Sequence, residues 1–408
     1  MNIKTKVARN PRLLFWGRVL VATKILSAIG VLFYAHRGVG LDAVYYLSIV
    51  WSITSLITEV PSGYLADRIG RKRTLLLGVI LLFISHVITL FAYGFWEFAI
   101  SIIFLSASFS CFSGTEEALL YESLVHLDKS KETNAHNGKQ LSAGALPDIV
   151  MAIIAVLIAQ DLHEDQFQIL ILINIGMSIL AFVVLSFIHE PPHLKDVTKQ
   201  EEGIYTESLR TLREHPWLRK AAINKFLVFS ATFITWRVYQ PILKDDFGFS
   251  VIALGVFYTI MQSIEFFTGW FAGKFERRFG IANIINWLGV LMIVALSIAM
   301  ISHQPWIVFC AFIIPLSTHA LRSSMFTHAV NKRIHSRSRA TTLSQMNLIK
   351  GMIDIPLLVL AGLLSQFSLI YPLMIACILC VIAVTILPIR TQELEWKPSK
   401  PISATTSL

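Results

Sequence analysis

Apolar runs bounded by charge, proline or glycine divide the chain into twelve stretches, each long enough for a helix to cross a ~30 Å hydrocarbon layer. They cover 13–35, 42–66, 73–94, 96–126, 138–160, 167–189, 217–243, 248–273, 280–302, 305–330, 340–365 and 368–390. Lipid offers no partner to a bare backbone, so runs of this length predict an all-α integral membrane fold with twelve transmembrane helices. The polar segments set the divisions: an N-terminal segment 1–12, a six-helix bundle 13–189, a central loop 190–216 opened by Glu190-Pro191-Pro192, a second six-helix bundle 217–390, and a tail 391–408. The tail, with Pro398, Pro401 and a Ser/Thr-rich end, has no apolar pattern with which to join a core and is expected to be disordered.

Composition excludes a soluble alternative. Two or three soluble domains would fit into 408 residues, but 55% hydrophobic residues, 15% charge and a mean hydropathy of +0.64 do not suit them. The net charge of +9 follows topology and not a nucleic-acid partner. Of the 35 Lys and Arg, 27 fall at the termini, loops and adjoining span ends on one side, two (Arg37 and Lys244) on the other, and six deeper within spans. The positive-inside rule then puts both termini in the cytoplasm, of a plasma membrane or a bacterial inner membrane, and the even number of spans agrees. Cys111, Cys310, Cys377 and Cys380 all lie in apolar runs, so neither a disulfide framework nor a metal site is expected, and no cofactor.

The chain also repeats itself. Glu59-Val60-Pro61-Ser62-Gly63-Tyr64-Leu65-Ala66 matches Glu265-Phe266-Phe267-Thr268-Gly269-Trp270-Phe271-Ala272 at an offset of 206, and the same offset sets Asp148 on Asp354 and Glu116 on Arg322. After Ala66 and Ala272 the second copy gains four residues, so that Gly70 corresponds to Gly280. Two related six-helix halves are therefore expected.

Between the second and third spans, Gly63-Tyr64-Leu65-Ala66-Asp67-Arg68-Ile69-Gly70-Arg71-Lys72-Arg73 resembles the signature loop of the major facilitator superfamily, G-x-L-A-D-R-x-G-R-R/K. Arg339-Ala340-Thr341-Thr342-Leu343-Ser344, at the start of the eleventh span, is similar to another recurrent stretch of that family. The resemblance covers roughly 12–390 and implies two pseudo-symmetric bundles that move a small solute by alternating access, without enzymatic chemistry. It further implies a latch: Gly63, Asp67, Arg68, Gly70 and Arg71 would close the two halves on the cytoplasmic side, with the basic residues meeting Glu122 at the end of the fourth helix. The fourth span lacks the Arg that serves proton coupling in some members, and the fifth lacks the G-P-x-x-G-G pattern of drug antiporters.

Charges inside a membrane cost about 2.5–3.5 kcal/mol each on insertion scales and therefore mark cavities or partners. Because helices one, four, seven and ten line the cavity in the family, the resemblance puts Arg18, Lys24, Glu116, Glu117, Lys225, Arg237 and Arg322 around it; Trp236 and His319 join them, with Trp16 and Tyr239 as further candidate wall residues. The stripe Ser106, Ser110, Ser113, Glu117, Tyr121 favours Glu117 as the cavity carboxylate, whereas the counterpart Arg322 favours Glu116. One of the two is the expected proton carrier, unless it is held in a static ion pair with Arg18 or Arg322. Glu59 and Glu265, near helix ends, suit a gate; Asp148, Lys350 and Asp354 read as structural charges, the last two at i, i+4. The expected function is secondary active transport of a polar, zwitterionic or anionic organic solute, coupled to protons, by a monomer in a lipid bilayer. A multidrug exporter or a lipid translocator of the same fold is the alternative. No Walker-type phosphate loop is present to couple ATP.

Overall fold

The structure, a computed structural model, describes residues 3–129, 133–191, 216–331 and 339–391. The central loop and the C-terminal tail fall almost wholly outside the described residues. After a short N-terminal helix, Ile3–Val7, come α1a (Asn10–Val21), α1b (Gly30–His36), α2 (Leu41–Ile69), α3 (Arg71–Phe91), α4a (Phe95–Phe112), α4b (Thr115–His126), α5 (Thr133–Ile158) and α6 (Glu164–Ser186). The second half comprises α7 (Pro216–Pro241), which runs into a π-helical turn Ile242–Asp246, then α8 (Val251–Phe279), α9 (Ile281–Ile301), α10 (Pro305–Asn331), α11 (Arg339–Ser365) and α12 (Ile370–Thr385). Among the described residues, seven stretches (α2, α3, α4a with α4b, α6, α9 and the first parts of α8 and α10) are long and apolar enough to cross a membrane. The arrangement is consistent with twelve spans.

Two spans read as continuous are broken. The first unwinds after Val21 and re-forms through a 3-10 turn, Ser27–Ile29. The fourth breaks at Ser113-Gly114, where Gly114 takes φ +71°, a conformation that lacks a Cβ penalty only for glycine. Each break leaves helix ends inside the span. Arg18 lies in the last turn of α1a and Glu116 and Glu117 in the first turn of α4b, so each charge complements the partial charge of its helix end.

The repeat is present, with a changed register. Leu41–Ile69 and Val251–Phe279 are both 29 residues long, and Arg71–Phe91 and Ile281–Ile301 both 21. The left-handed glycines agree: Gly38 with Gly248, Gly70 with Gly280. All these pairs stand 210 apart, so the four extra residues lie within α7 and its π turn, not after Ala66. Glu59 and Glu265 consequently differ by one helical turn and are not counterparts. The offset of 206 holds for two contacts. Arg18 Nη1 lies 3.4 Å from Glu116, and Arg322 donates to Asn224; both pairs are 98 residues apart. Ser230, the counterpart of Lys24, donates to Asp354, the counterpart of Asp148.

The packing divides the molecule by depth. Here the end carrying the Gly63–Arg73 loop is termed the basic face. Toward the opposite face one apolar core joins both halves, with Ile29 and Tyr45 of the first half against Val238, Leu254 and Leu358 of the second. The Val31 amide donates to Gln240 Oε1 (2.9 Å), Tyr45 Oη to the Ile234 carbonyl (3.1 Å), and Gln366 Nε2 to Asp42 (2.8 Å). Toward the basic face the buried clusters separate: Leu14, Leu75, Leu119 and Leu185 in one half, Ala221, Ile285, Leu321 and Ile389, and Leu218, Phe226 and Met346, in the other. Among the described residues, no buried cluster there spans both halves.

Candidate functional site

Between the joined end and the parted end lies a cavity of about 550 Å³. The α1 break, α2, α4a, α5, α7 and α8 all contribute to its wall. Unwinding at Thr23–Leu26 brings Lys24 into it, and the same face of α7 supplies Phe233, Trp236, Arg237 and Gln240. Trp51 and Phe109 form the facing aromatic wall, in edge contact at 5.3 Å.

The charged groups of the wall come from helices that apolar periodicity does not single out. Asp148 of α5 lines the cavity, and its Oδ1 has no hydrogen-bond partner among the described residues. Lys24 acts electrostatically on both Asp148 and Glu265, and the two carboxylates act on each other. Lys24 also sits over the Phe109 ring at 5.4 Å. Asp148 therefore belongs to the cavity and not to a structural pair. Glu265 lies midway along its helix and not near its end, because α8 continues to Phe279. Glu59, on α2, is half-buried and likewise stands well inside its helix, which runs on to Ile69.

The remaining sequence candidates separate into three groups. Lys24, Trp236 and Arg237 line the cavity. Arg18 and Glu116 pair with each other below it, Glu116 buried with one oxygen unpartnered, while Glu117 is exposed. Lys225, His319 and Lys350 gather lower on the second half: His319 packs on Phe229 at 5.2 Å, and Lys350 pairs with Asp354 at 2.9 Å. Arg322 is only 2% exposed and points away from the cavity. Its Nε donates to the Ile285 carbonyl (3.2 Å), its guanidinium bonds Asn224, and Asn224 in turn donates to the Ala383 and Leu387 carbonyls of α12 and its end. Arg322 thus ties α7, α9, α10 and α12 together. Replacing it by Met is expected to orphan the buried Asn224 Oδ1 at about 1–3 kcal/mol and to remove the tie to the Ile285 carbonyl, lowering Tm while leaving solute affinity within about twofold; an unchanged Tm with lost affinity would return Arg322 to the cavity.

Of the other candidate wall residues, Trp16 is exposed and Tyr239 is buried in the core, stacked on Phe257 at 4.8 Å. His86 also reaches the cavity and bonds Ser178 at 3.0 Å. In the basic-face loop, Arg71 Nη2 meets Glu122 at 2.8 Å, and the Arg71 amide donates to Glu190 at 2.5 Å. Gly70 takes φ +100°, and a side chain there would strike the Glu190 carboxylate. Gly63, Asp67 and Arg68 are exposed. In the sequence Glu190 only opens a linker, and nothing in its local sequence marks it as a cap for α3. On the opposite face, Arg37 is another group the sequence did not single out. Its buried guanidinium bonds the Thr89, Leu90 and Ala92 carbonyls at the end of α3 and pairs with Glu164 at 2.6 Å.

The family model described as Major Facilitator Superfamily matches residues 14–353. An uncharacterized transporter of Buchnera aphidicola subsp. Acyrthosiphon pisum (strain APS) is 24% identical over 157 residues, a match spanning 38% of this chain and 38% of that protein. Among solved structures, a mutant of the nucleoside transporter NupG gives a TM-score of 0.75 at 14% identity, over 95% of this chain and 99% of that one. A bacterial homologue of the iron transporter ferroportin, in an inward-facing state, gives 0.72 at 15% identity over 95% and 99%. A D-xylose-proton symporter gives 0.69 at 13% identity over 97% of each chain. At these identities the likeness is one of fold.

Proposed function

The chain belongs to the Major Facilitator Superfamily, and from that premise we propose that it is a secondary transporter that moves a small organic solute by alternating access and couples the movement to protons. The observation that carries this reading is the cavity, bounded by both halves, sealed at one end by contacts between them and flanked at the other by clusters that do not meet. A site placed so becomes accessible from the other side if the halves rock. In this reading the bundles 13–189 and 217–390 are the rocking bodies, the basic face is cytoplasmic, and the structure is the inward-open state of a monomer in a plasma or bacterial inner membrane.

Asp148 is the proposed proton carrier. It faces the cavity with an unpartnered oxygen, and Lys24 is near enough to hold its charge until solute or proton displaces that interaction. Glu116, a buried carboxylate near the centre of the same half, is already held by Arg18. The latch role of Asp67, Arg68 and Arg71 is proposed for the opposite state, in which the basic face closes; Arg71 on Glu122 holds the loop in position for it. The aromatic wall of Trp51, Phe109, Phe233 and Trp236 gives a multidrug exporter its one specific support.

Reconstituted in liposomes loaded with a pH-sensitive dye, the protein should pass protons inward or outward only when a transported solute is added, and for a narrow set of solutes. Solute movement with no proton movement would reject the coupling, and protons accompanying many unrelated amphipaths would favour the multidrug reading.

A further inference from the structure

One face of α7 carries an ordered series. Lys225, Phe229, Phe233 and Arg237 recur at intervals of four and are all half-buried, while Val228, Ala231, Ile234 and Val238 on the core side are fully buried. Phe229 and Phe233 stack with their planes 12° apart and centroids at 5.9 Å. At the cavity end the Arg237 guanidinium lies over Phe233 at 4.8 Å. At the lower end Lys350 lies over Phe229 at 4.5 Å and His319 packs on the same ring. The two cationic ends are about 18 Å apart at 1.5 Å per residue.

The charges of this series are unbalanced. Among the described residues, neither Arg237 nor Lys225 forms an ion pair, and Arg237 Nε, buried at the cavity wall, has no hydrogen-bond partner. The lower end gathers Lys225, Lys350 and Arg322 about His319, and the Asp354 carboxylate there is already engaged by Lys350 and Ser230. A half-buried guanidinium at a cavity wall without a counter-ion is a site that a ligand anion completes, and flat rings stacked beside it suit a planar apolar body.

We propose that the solute is an organic monoanion with a planar apolar body, that Arg237 holds its anionic group in the cavity, and that Lys225 with Lys350 forms a second station on its way to the basic face. The inference rests on the transporter reading and gives its site a substrate class. Asp148, with Lys24, Glu265 and Tyr258 near it, lines the same cavity, so the anion would approach it most readily once that carboxyl is protonated, which ties solute and proton to one cycle.

The test uses full-length protein in nanodiscs and radiolabelled phenylacetate and indole-3-acetate, competed by phenethylamine and phenylacetamide, which keep the ring and replace the charge. At least one of the two carboxylates is expected to bind, with amine and amide competing at least tenfold more weakly. Arg237→Gln is expected to weaken that binding at least tenfold, and Arg237→Lys to restore part of it, which separates a lost charge from a damaged fold. Lys225→Gln is expected to slow exchange of the bound carboxylate across liposome membranes at least fivefold. Binding of neither carboxylate, equal competition by the amine or the amide, or binding indifferent to Arg237→Gln would overturn the proposal. Protein-mediated flux of phenethylamine with no flux of carboxylate would overturn it while leaving the transporter reading intact, so the two fail distinguishably.

Discussion

Proteoliposomes carrying the Asp148→Asn variant are expected to equilibrate solute without accumulating it. One proton carried with each solute down a one-unit pH gradient is worth about 1.36 kcal/mol, or about tenfold accumulation. The wild type should approach that ratio, and the variant should stay near unity while exchange between labelled and unlabelled solute continues. The reason is local. Asp148 is the carboxylate of the cavity wall with an unpartnered oxygen, and an amide keeps its shape and hydrogen-bonding capacity but carries no titrating proton. Glu116→Gln, beside it, is expected to disturb the Arg18 contact without abolishing accumulation. Undiminished accumulation by Asp148→Asn would assign coupling elsewhere, with Glu265 and Glu116 the next to examine.

Gly255→Leu is expected to drive the opposite face open. Gly255 of α8 packs on Val156 of α5, across the two halves, so closely that a Cβ would stand 2.8 Å from Val156 Cβ. Overpacking of this kind costs about 1–3 kcal/mol in the state that contains the contact, which shifts a two-state equilibrium by about 5- to 150-fold. Ile29, fully buried in the core that joins the two halves, reports the shift. An Ile29→Cys substitution, placed in a background lacking the native cysteines, should react faster with a membrane-impermeant maleimide when Gly255→Leu is present. Adding Val156→Ala, which makes room for the leucine, should slow it again. Equal labelling in all three would mean that the α5–α8 contact does not hold this face shut.

The architecture was largely legible in the sequence because lipid imposes one rule on every residue of a span. Run length and loop charge suffice to place the helices, and Gly70 and Gly280 mark where α2 and α8 stop. Two kinds of feature were hidden. The first was the pair of helix breaks. Each break lies inside a stretch still long enough overall to span the bilayer, with Lys24 in one and Glu116 and Glu117 just after the other, so run length shows no interruption where the backbone turns. The second was the direction in which a buried charge points. A soluble helix declares its wet face, but a span in lipid is apolar on the outside as well as in the bundle, and moment analysis cannot tell cavity from core. Helix assignment alone therefore points Arg322 into the cavity, but it faces α9 and α12, and reads Asp148 as structural, but it faces the cavity. The repeat could have corrected one of these: at an offset of 206 Arg18 falls on Asn224, and the Arg322–Asn224 bond is the second-half version of the Arg18–Glu116 pair. The identical eight-residue spacing around Glu59 and Glu265 pointed the other way, since a one-turn slip keeps small and acidic residues on one helical face.

The most direct measurement of the alternating cavity is a pair of distances across the halves by double electron–electron resonance, in a background without the native cysteines. One pair, Asp42→Cys with Gln366→Cys, spans the sealed opposite face, where the wild-type side chains meet at 2.8 Å. The other, Arg73→Cys with Lys274→Cys, spans the parted basic face between α3 and α8. Two populations are expected, one short at the opposite face and long at the basic face, the other reversed, with proton and solute shifting their ratio and the two distances always changing in opposite senses. Distances that stay single and fixed under all conditions, or that lengthen together, would contradict alternating access by this chain.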